Sequence, residues 1–153
     1  MKKITPFLWF DDQAEEALRF YASIFKGSKI VEVTPGPGGK AFTVRAEIDG
    51  QELIGLNAGP TFKFTEAISL FVDCADQAEV DELWSKLTAD GGEEGSCGWL
   101  KDRFGLSWQI VPRALGELAG DPDRAKAKRV NDAMLKMKKI DVAELRRAHD
   151  EPS

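Results

Sequence analysis

The side chains that could do chemistry in this chain are few. Its one histidine is His149, four residues before the C-terminal Ser153. A Ser-His-Asp or Cys-His triad needs its base inside a folded cleft, so His149 serves only if the tail folds back. Histidine metal clusters and the H-E-x-x-H helix motif are absent, so a metal site would have to be built from carboxylates and amides. Cys74 and Cys97 are not at C-x-x-C spacing and give neither a disulfide framework nor a zinc knuckle. With no histidine to activate them, they read as small packing residues. Pro35-Gly36-Pro37-Gly38-Gly39 mimics a phosphate-cradling loop. Such a loop needs a helix next, and Phe42 to Ile48 alternates like a strand, so a hairpin turn is expected. No catalytic residue is assigned. What remains is a set of aromatic, amide and hydroxyl residues suited to recognition.

Those residues must be positioned by the elements around them. Ile4 to Phe10 reads as a buried strand. Asp12 then opens a helix, with Glu15 completing a capping box, and Ala14, Ala17, Leu18, Tyr21, Ile24 and Phe25 fall on one helical face. Ser28 to Val33, Phe42 to Ile48 and Glu52 to Ala58 read as strands, the last two joined by an Asp49-Gly50 turn. The pattern then restarts. Ala67 to Val72 is a strand, and Asp76-Gln77-Ala78-Glu79 repeats Asp12-Gln13-Ala14-Glu15 letter for letter at a strand-to-helix junction. Val80, Leu83, Trp84 and Leu87 form the second buried face. Short strands follow near Glu94 to Ser96, Cys97 to Lys101 and Leu106 to Val111, the last two joined by an Asp102 to Gly105 turn. Two β-α-β-β-β modules result, and the repeat decides the fold. Asp121-Pro122 opens a tail helix with an apolar stripe of Val130, Ala133, Met134 and Met137, and a second helix follows Asp141.

Length and charge bound the function. A chain of 153 residues fits one domain and buries about 70% of its unfolded surface. Apolar residues are 42% and charged residues 31%, the balance of a globular protein. The net charge of −5 argues against a nucleic-acid binder. The tail, from Asp121, is mildly basic, with nine Lys and Arg against seven Asp and Glu. No apolar run approaches the ~20 residues of a membrane span. Met1-Lys2-Lys3 followed by Ile4 to Phe10 is too short, and too soon ended by Asp11-Asp12, for a cleavable leader. A reducing cytoplasm is expected, with neither nucleic acid nor membrane as partner.

The local residues carry a resemblance. Ile4-Thr5-Pro6-Phe7-Leu8-Trp9-Phe10 with Gln13 to Ala17, Gly59-Pro60 to Phe64, and the run from Cys97-Gly98-Trp99 to Ser107-Trp108-Gln109 resemble the PhnB-like branch of the vicinal-oxygen-chelate superfamily, the glyoxalase and bleomycin-resistance fold. The tail run Ala133 to Asp141 resembles it too. This branch is often labelled a demethylubiquinone methyltransferase domain. The resemblance implies an α+β fold: two tandem βαβββ modules forming a shared cleft, plus C-terminal helices. The boundaries expected are 1–120 for the domain, with modules 1–60 and 61–120, and 121–153 for the helical tail.

The resemblance also implies positions. The superfamily often holds a divalent metal, and its ligand positions fall here near Ile4 or Thr5, on the fourth strand, near Glu66 or Ala67, and on Gln109. None is a histidine, and a lone neutral amide holds a hard cation poorly, so neither metal nor cofactor is expected. If Gln109 faces the cleft, Ser107 and Val111 do too, and Trp108 faces the helix layer. The expected ligand-binding residues are Phe7, Trp9, Asn57, Ser69, Phe71, Trp99 and Gln109, a lining of aromatic walls with a few amides and hydroxyls that suits a small, partly apolar molecule. Three functions stay open: a small-molecule-binding protein that could also be an enzyme, a non-catalytic protein that sequesters a drug or metabolite, and a methyltransferase by label. A homodimer is expected, with the C-terminal helix and its methionine stripe packing on the partner.

Overall fold

The apolar run near the N-terminus forms β1 (Phe7–Phe10), with Leu8 and Phe10 buried and Phe7 exposed. The computed structural model describes residues 2–151. Helix α1 (Ala14–Ile24) buries Ala14, Ala17, Leu18 and Tyr21 of the expected face, while Ile24 is half-buried and Phe25 is the half-buried cap residue past its end. Strands β2 (Lys29–Pro35), β3 (Ala41–Ile48) and β4 (Gln51–Asn57) complete a sheet ordered β1-β4-β3-β2. β1 runs parallel to β4, and the other pairs are antiparallel. The Pro-Gly run joins antiparallel β2 and β3, so it is the hairpin turn and leads into no helix. Val44, Ala46, Ile48 and Leu53 are buried with the helix stripe, whereas Phe42 stays 49% exposed. Gly55 lies where a Cβ would come within 3.1 Å of the Ala14 Cβ, so the close approach of helix to sheet calls for glycine.

The repeat is present. β5 (Ser69–Cys74), α2 (Gln77–Thr88), β6 (Glu93–Glu94), β7 (Trp99–Lys101) and β8 (Ser107–Pro112) build a second four-stranded sheet, ordered β5-β8-β7-β6. α2 buries Val80, Leu83, Trp84 and Leu87 as expected. β7 starts two residues later than its apolar pattern suggests. Cys97 and Gly98 have φ of 59° and 85°, a left-handed turn that no strand contains.

Two capping expectations need correction. Asp12 does not cap α1; it pairs with Lys40 at 3.0 Å, and the helix begins one residue beyond Gln13. Asn57 takes the cap instead, its Oδ1 accepting from the Ala14 N–H at 2.8 Å. The β1–β4 register sets Asn57 opposite Phe10, beside the start of the helix. Nor does Asp121 cap a tail helix: Asp123 does, accepting from the N–H groups of Ala125 and Lys126.

Helix α3 (Arg113–Ala119), ahead of the expected tail, carries no capping signal in the sequence; α4 (Arg124–Met134) and α5 (Val142–Asp150) follow in the tail. Val130, Ile140 and Leu145 form their buried core, packed by Leu115, Leu118, Ala119, Met134 and Met137. Met134 and Met137 of the methionine stripe pack against this core and stay partly exposed. The chain divides into two compact units, 1–64 and 65–153, with the tail in the second. There Cys97 N–H donates to Met137 O and Gly98 N–H to Lys138 O, both at 2.8 Å. The Gln77 amide adds bonds to Ile140 O and from Val142 N–H. Among the described residues no helix is long and apolar enough to cross a membrane.

Candidate functional site: an aromatic-amide row on the second sheet

Strand alternation sends Trp108, Ile110 and Leu100 into the core of the second unit, and Trp99 and Gln109 to the other face of the sheet, where they are half-buried. Asp102 anchors this arrangement. Its buried carboxylate accepts from the N–H groups of Phe104 and Leu106 and from the Trp108 indole at 2.9–3.1 Å, which closes the β7–β8 hairpin and fixes the phase of β8. Trp108 lies on the buried side and Gln109 on the other, as the alternation predicts.

Register then assembles the site. Gln109 stands opposite Phe71 of β5 and Trp99 of β7, so an amide lies between two rings in one cross-strand row. The next row is Ser69, Ser107 and Lys101. Gln109 donates through Nε2 to Ser69 Oγ at 3.0 Å. Phe71 is 60% exposed. The structure therefore brings together Ser69, Phe71, Trp99 and Gln109 of the expected lining.

The other three expected residues belong to the first unit. Phe7 and Trp9 share one face of β1, and the Trp9 indole N–H donates to Gly59 O at 2.9 Å while its ring meets Phe62 edge-on at 4.9 Å. Asn57 is occupied at both ends of its amide, accepting from Ala14 and donating to Ala41 O at 2.9 Å. Its visible role is to hold the start of α1.

The sequence did not reveal two ion-paired cations near these rows. Lys101 pairs with Glu66, a contact that holds the Glu66 carboxyl below its usual range and the Lys101 ammonium above it. Arg45 of β3 lies 3.5 Å from Glu52 and 3.6 Å from Glu32. These charges meet across strands or, for Glu66, from the turn before β5, so no local pattern signals them.

Other candidate groups are chemically quiet. Burial, with Glu79 nearby, pushes the Cys74 thiol up to about 12, so it supplies no thiolate. The tail does fold back, but His149 turns Nδ1 to Asp150 at 2.6 Å and Nε2 to Asp121 at 2.7 Å. Those bonds raise its pKa and occupy both ring nitrogens. The metal implied by the superfamily does not fit the donors here. At the eighth-strand position stands the neutral amide of Gln109 between two rings. The nearest acid at the fifth-strand position, Glu66, already holds an ammonium. No three His, Cys, Asp or Glu side chains converge among the described residues.

Two βαβββ units with parallel outer pairs have the fold of the vicinal-oxygen-chelate class. The comparisons narrow this. The model of the 3-demethylubiquinone-9 3-methyltransferase family matches residues 2–111, and the chain belongs to that family, in its PhnB-like branch. The Bacillus cereus protein described as a putative 3-demethylubiquinone-9 3-methyltransferase, PhnB protein, is 33% identical over 72% of this chain and 99% of its own, with a TM-score of 0.68. PA1353 from Pseudomonas aeruginosa is 20% identical over 73% of this chain and 98% of its own, with a TM-score of 0.63. The fosfomycin resistance protein FosX from Listeria monocytogenes is 14% identical over 73% and 93%, with a TM-score of 0.52. The last two share the fold alone. No curated protein matches the chain. The family match ends at Val111, so the tail run Ala133 to Asp141 lies outside it.

Proposed function

We propose that the protein binds a small, partly apolar molecule on the open face of the second sheet, with no metal. Phe71 and Trp99 form the apolar walls, and Gln109, steadied by Ser69, offers its Oε1 to a hydrogen-bond donor. The observation that carries this reading is the exposed Phe71 ring in register with a half-buried amide and a second aromatic ring. Phe7 and Trp9 are a further aromatic face for such a ligand, whereas Asn57 acts through α1. Binding without turnover is the reading favoured here, because the acid on the same face of β5, Asp73, is tied to Arg113 at 3.1 Å. A methyltransferase gains no support from the glycine-rich run, which turns a hairpin and offers no helix N-terminus to a charged donor. Benzamide, an aromatic ring with one amide, tests the reading. It should shift the NMR signals of the Trp99 indole and the Gln109 side-chain amide saturably, and Phe71→Ala should weaken it about tenfold, as for loss of a stacked ring. An absence of saturable shifts at those groups sinks the reading.

We further infer a homodimer and a reducing cytoplasm. Leu135, 65% exposed, is an apolar residue that the tail leaves uncovered for a second copy, and Cys74 and Cys97 are free thiols. Sedimentation of the wild-type protein checks the first, and a monomer at micromolar concentration would remove it.

A further inference from the structure

Trp99, one wall of the proposed site, enters β7 from a turn that its residues do not favour. Its N–H donates to Ser96 O at 3.1 Å across Cys97 and Gly98, which have φ of 59° and 85°. Two left-handed central residues make the tight turn that asparagine and glycine prefer. Gly98 adopts this conformation freely, but Cys97 carries a Cβ and is strained in it. A strained residue persists where its surroundings over-determine it. The two N–H groups inside the turn show what does so. Cys97 N–H donates to Met137 O and Gly98 N–H to Lys138 O, both at 2.8 Å. Ile140 packs so closely that a Cβ on Gly98 would come within 3.1 Å of its Cγ1. The tail segment 137–140 lies across the turn as a strap.

The strap is fastened to α2. Gln77 donates through Nε2 to Ile140 O at 3.0 Å and accepts at Oε1 from Val142 N–H at 2.7 Å. Lys139 pairs at 2.8 Å with Asp81, one helical turn further along. Neither Gln77 nor Lys139 belongs to the row of Phe71, Gln109 and Trp99. The strap also lies outside the family match, which ends at Val111.

We propose that segment 137–140 is a positioning element for the ligand site. Docked on α2, it holds the Cys97–Gly98 turn left-handed and so sets Trp99 opposite Gln109. This rests on the ligand reading above and adds its regulation. Affinity follows the fraction of molecules with the tail docked, and the ligand in turn favours docking.

The double variant Gln77→Ala with Lys139→Ala releases both fastenings and leaves the aromatic-amide row untouched. Amide hydrogen exchange at Cys97 and Gly98 should quicken in it, while exchange in the β5–β8 pair stays as in the wild type. The Trp99 indole N–H signal should move in the free protein. Benzamide should bind about fivefold more weakly, as when the competent form falls to roughly a fifth of the population. Gly55→Ala, a crowding change in the first module, controls for lost stability and should leave the Trp99 signal and the affinity unchanged. Cys97→Gly added to the double variant should restore most of the affinity, because glycine keeps the left-handed turn without the strap. Faster exchange at Cys97 and Gly98 with an unmoved Trp99 signal and full affinity overturns the inference and leaves the ligand reading intact. Unchanged exchange at those amides overturns it too, since the fastenings then hold nothing. A loss of affinity that Cys97→Gly does not rescue places the effect outside the turn and overturns it as well. If benzamide fails to bind even the wild type, the ligand reading falls alone, and the Trp99 signal of the free double variant still decides whether the strap sets that ring.

Discussion

The two modules share an element order and an Asp-Gln-Ala-Glu tetrad, yet they put equivalent positions to different uses. In the first sheet the central row is Phe7, Ile54 and Arg45. In the second, the same register holds Phe71, Gln109 and Trp99. The first row ends in a guanidinium held by two carboxylates. The second places an amide between two rings. The backbone frame is common, and the residues at three matched positions decide which face presents recognition chemistry. The helix starts differ as well. Asp76 caps α2 by accepting from Glu79 N–H, while Asp12 leaves the capping of α1 to Asn57. Gln77, free of any capping task, is available to hold the tail.

Paired substitutions in the two modules sharpen this contrast. The largest effect is expected at the tail contact. At Gly98 a Cβ would come 3.0 Å from Ile110 O and 3.1 Å from Ile140 Cγ1, at a φ of 85°. Gly98→Ala should lower unfolding stability by about 3 kcal/mol, through left-handed backbone strain plus overpacking. Gly55→Ala in the first module, crowded but free of positive φ, should lower it by about 1–2 kcal/mol. Urea unfolding measures both, and equal losses would break the contrast. The hairpins come next. Asp102→Ala strips three donors of their acceptor and should lower stability by about 2–3 kcal/mol, against about 1 kcal/mol for Asp49→Ala in the β3–β4 turn. The tetrads differ less. Asp76→Ala should lower stability by about 1 kcal/mol, the worth of a helix cap, while Asp12→Ala should stay within about 0.5 kcal/mol, since it loses only an exposed ion pair. Similar losses at the two would mean that the tetrads act alike.

The smallest effect concerns pH and belongs to the second unit alone, where the one histidine sits. Hydrogen bonds to Asp150 and Asp121 raise the His149 pKa above its ordinary 6.5. The stabilisation from these bonds is therefore complete below pH ~6.5 and fades as pH rises through the folded-state value. The melting temperature of the wild type should exceed that of His149→Gln most at pH 5–6, and the gap should narrow at higher pH. A gap that widens with pH would contradict the clasp.

Much of the second module was legible because its signals are local. Alternation separated Trp108 from Gln109 before any strand pairing was known, and helical spacing named the buried residues of both module helices. Caps were less legible. Asp12 and Asp121 carry the right chemistry, but Asn57 from β4 and Asp123 lie closer to the open N–H groups. The α3 helix, seven residues long with Gly116 inside and no side-chain cap, offers little pattern to read. At the site, Gln109 and its ring neighbours could be named from face and period. The Lys101–Glu66 pair and the tail contact at Cys97 and Gly98 could not.

By itself, then, the sequence determined what travels along the chain: two βαβββ modules, which side chains share a face, which helix stripes are apolar, and that no histidine cluster is available. Those properties follow from the 3.6 and 2.0 periods of local backbone. Tertiary structure decided which strand residues stand opposite one another, which acceptor reaches a helix start, and where the tail docks. These depend on groups up to 65 residues apart, as in the Gln77–Val142 bond, whose meeting is set by register and packing rather than by neighbours in the chain.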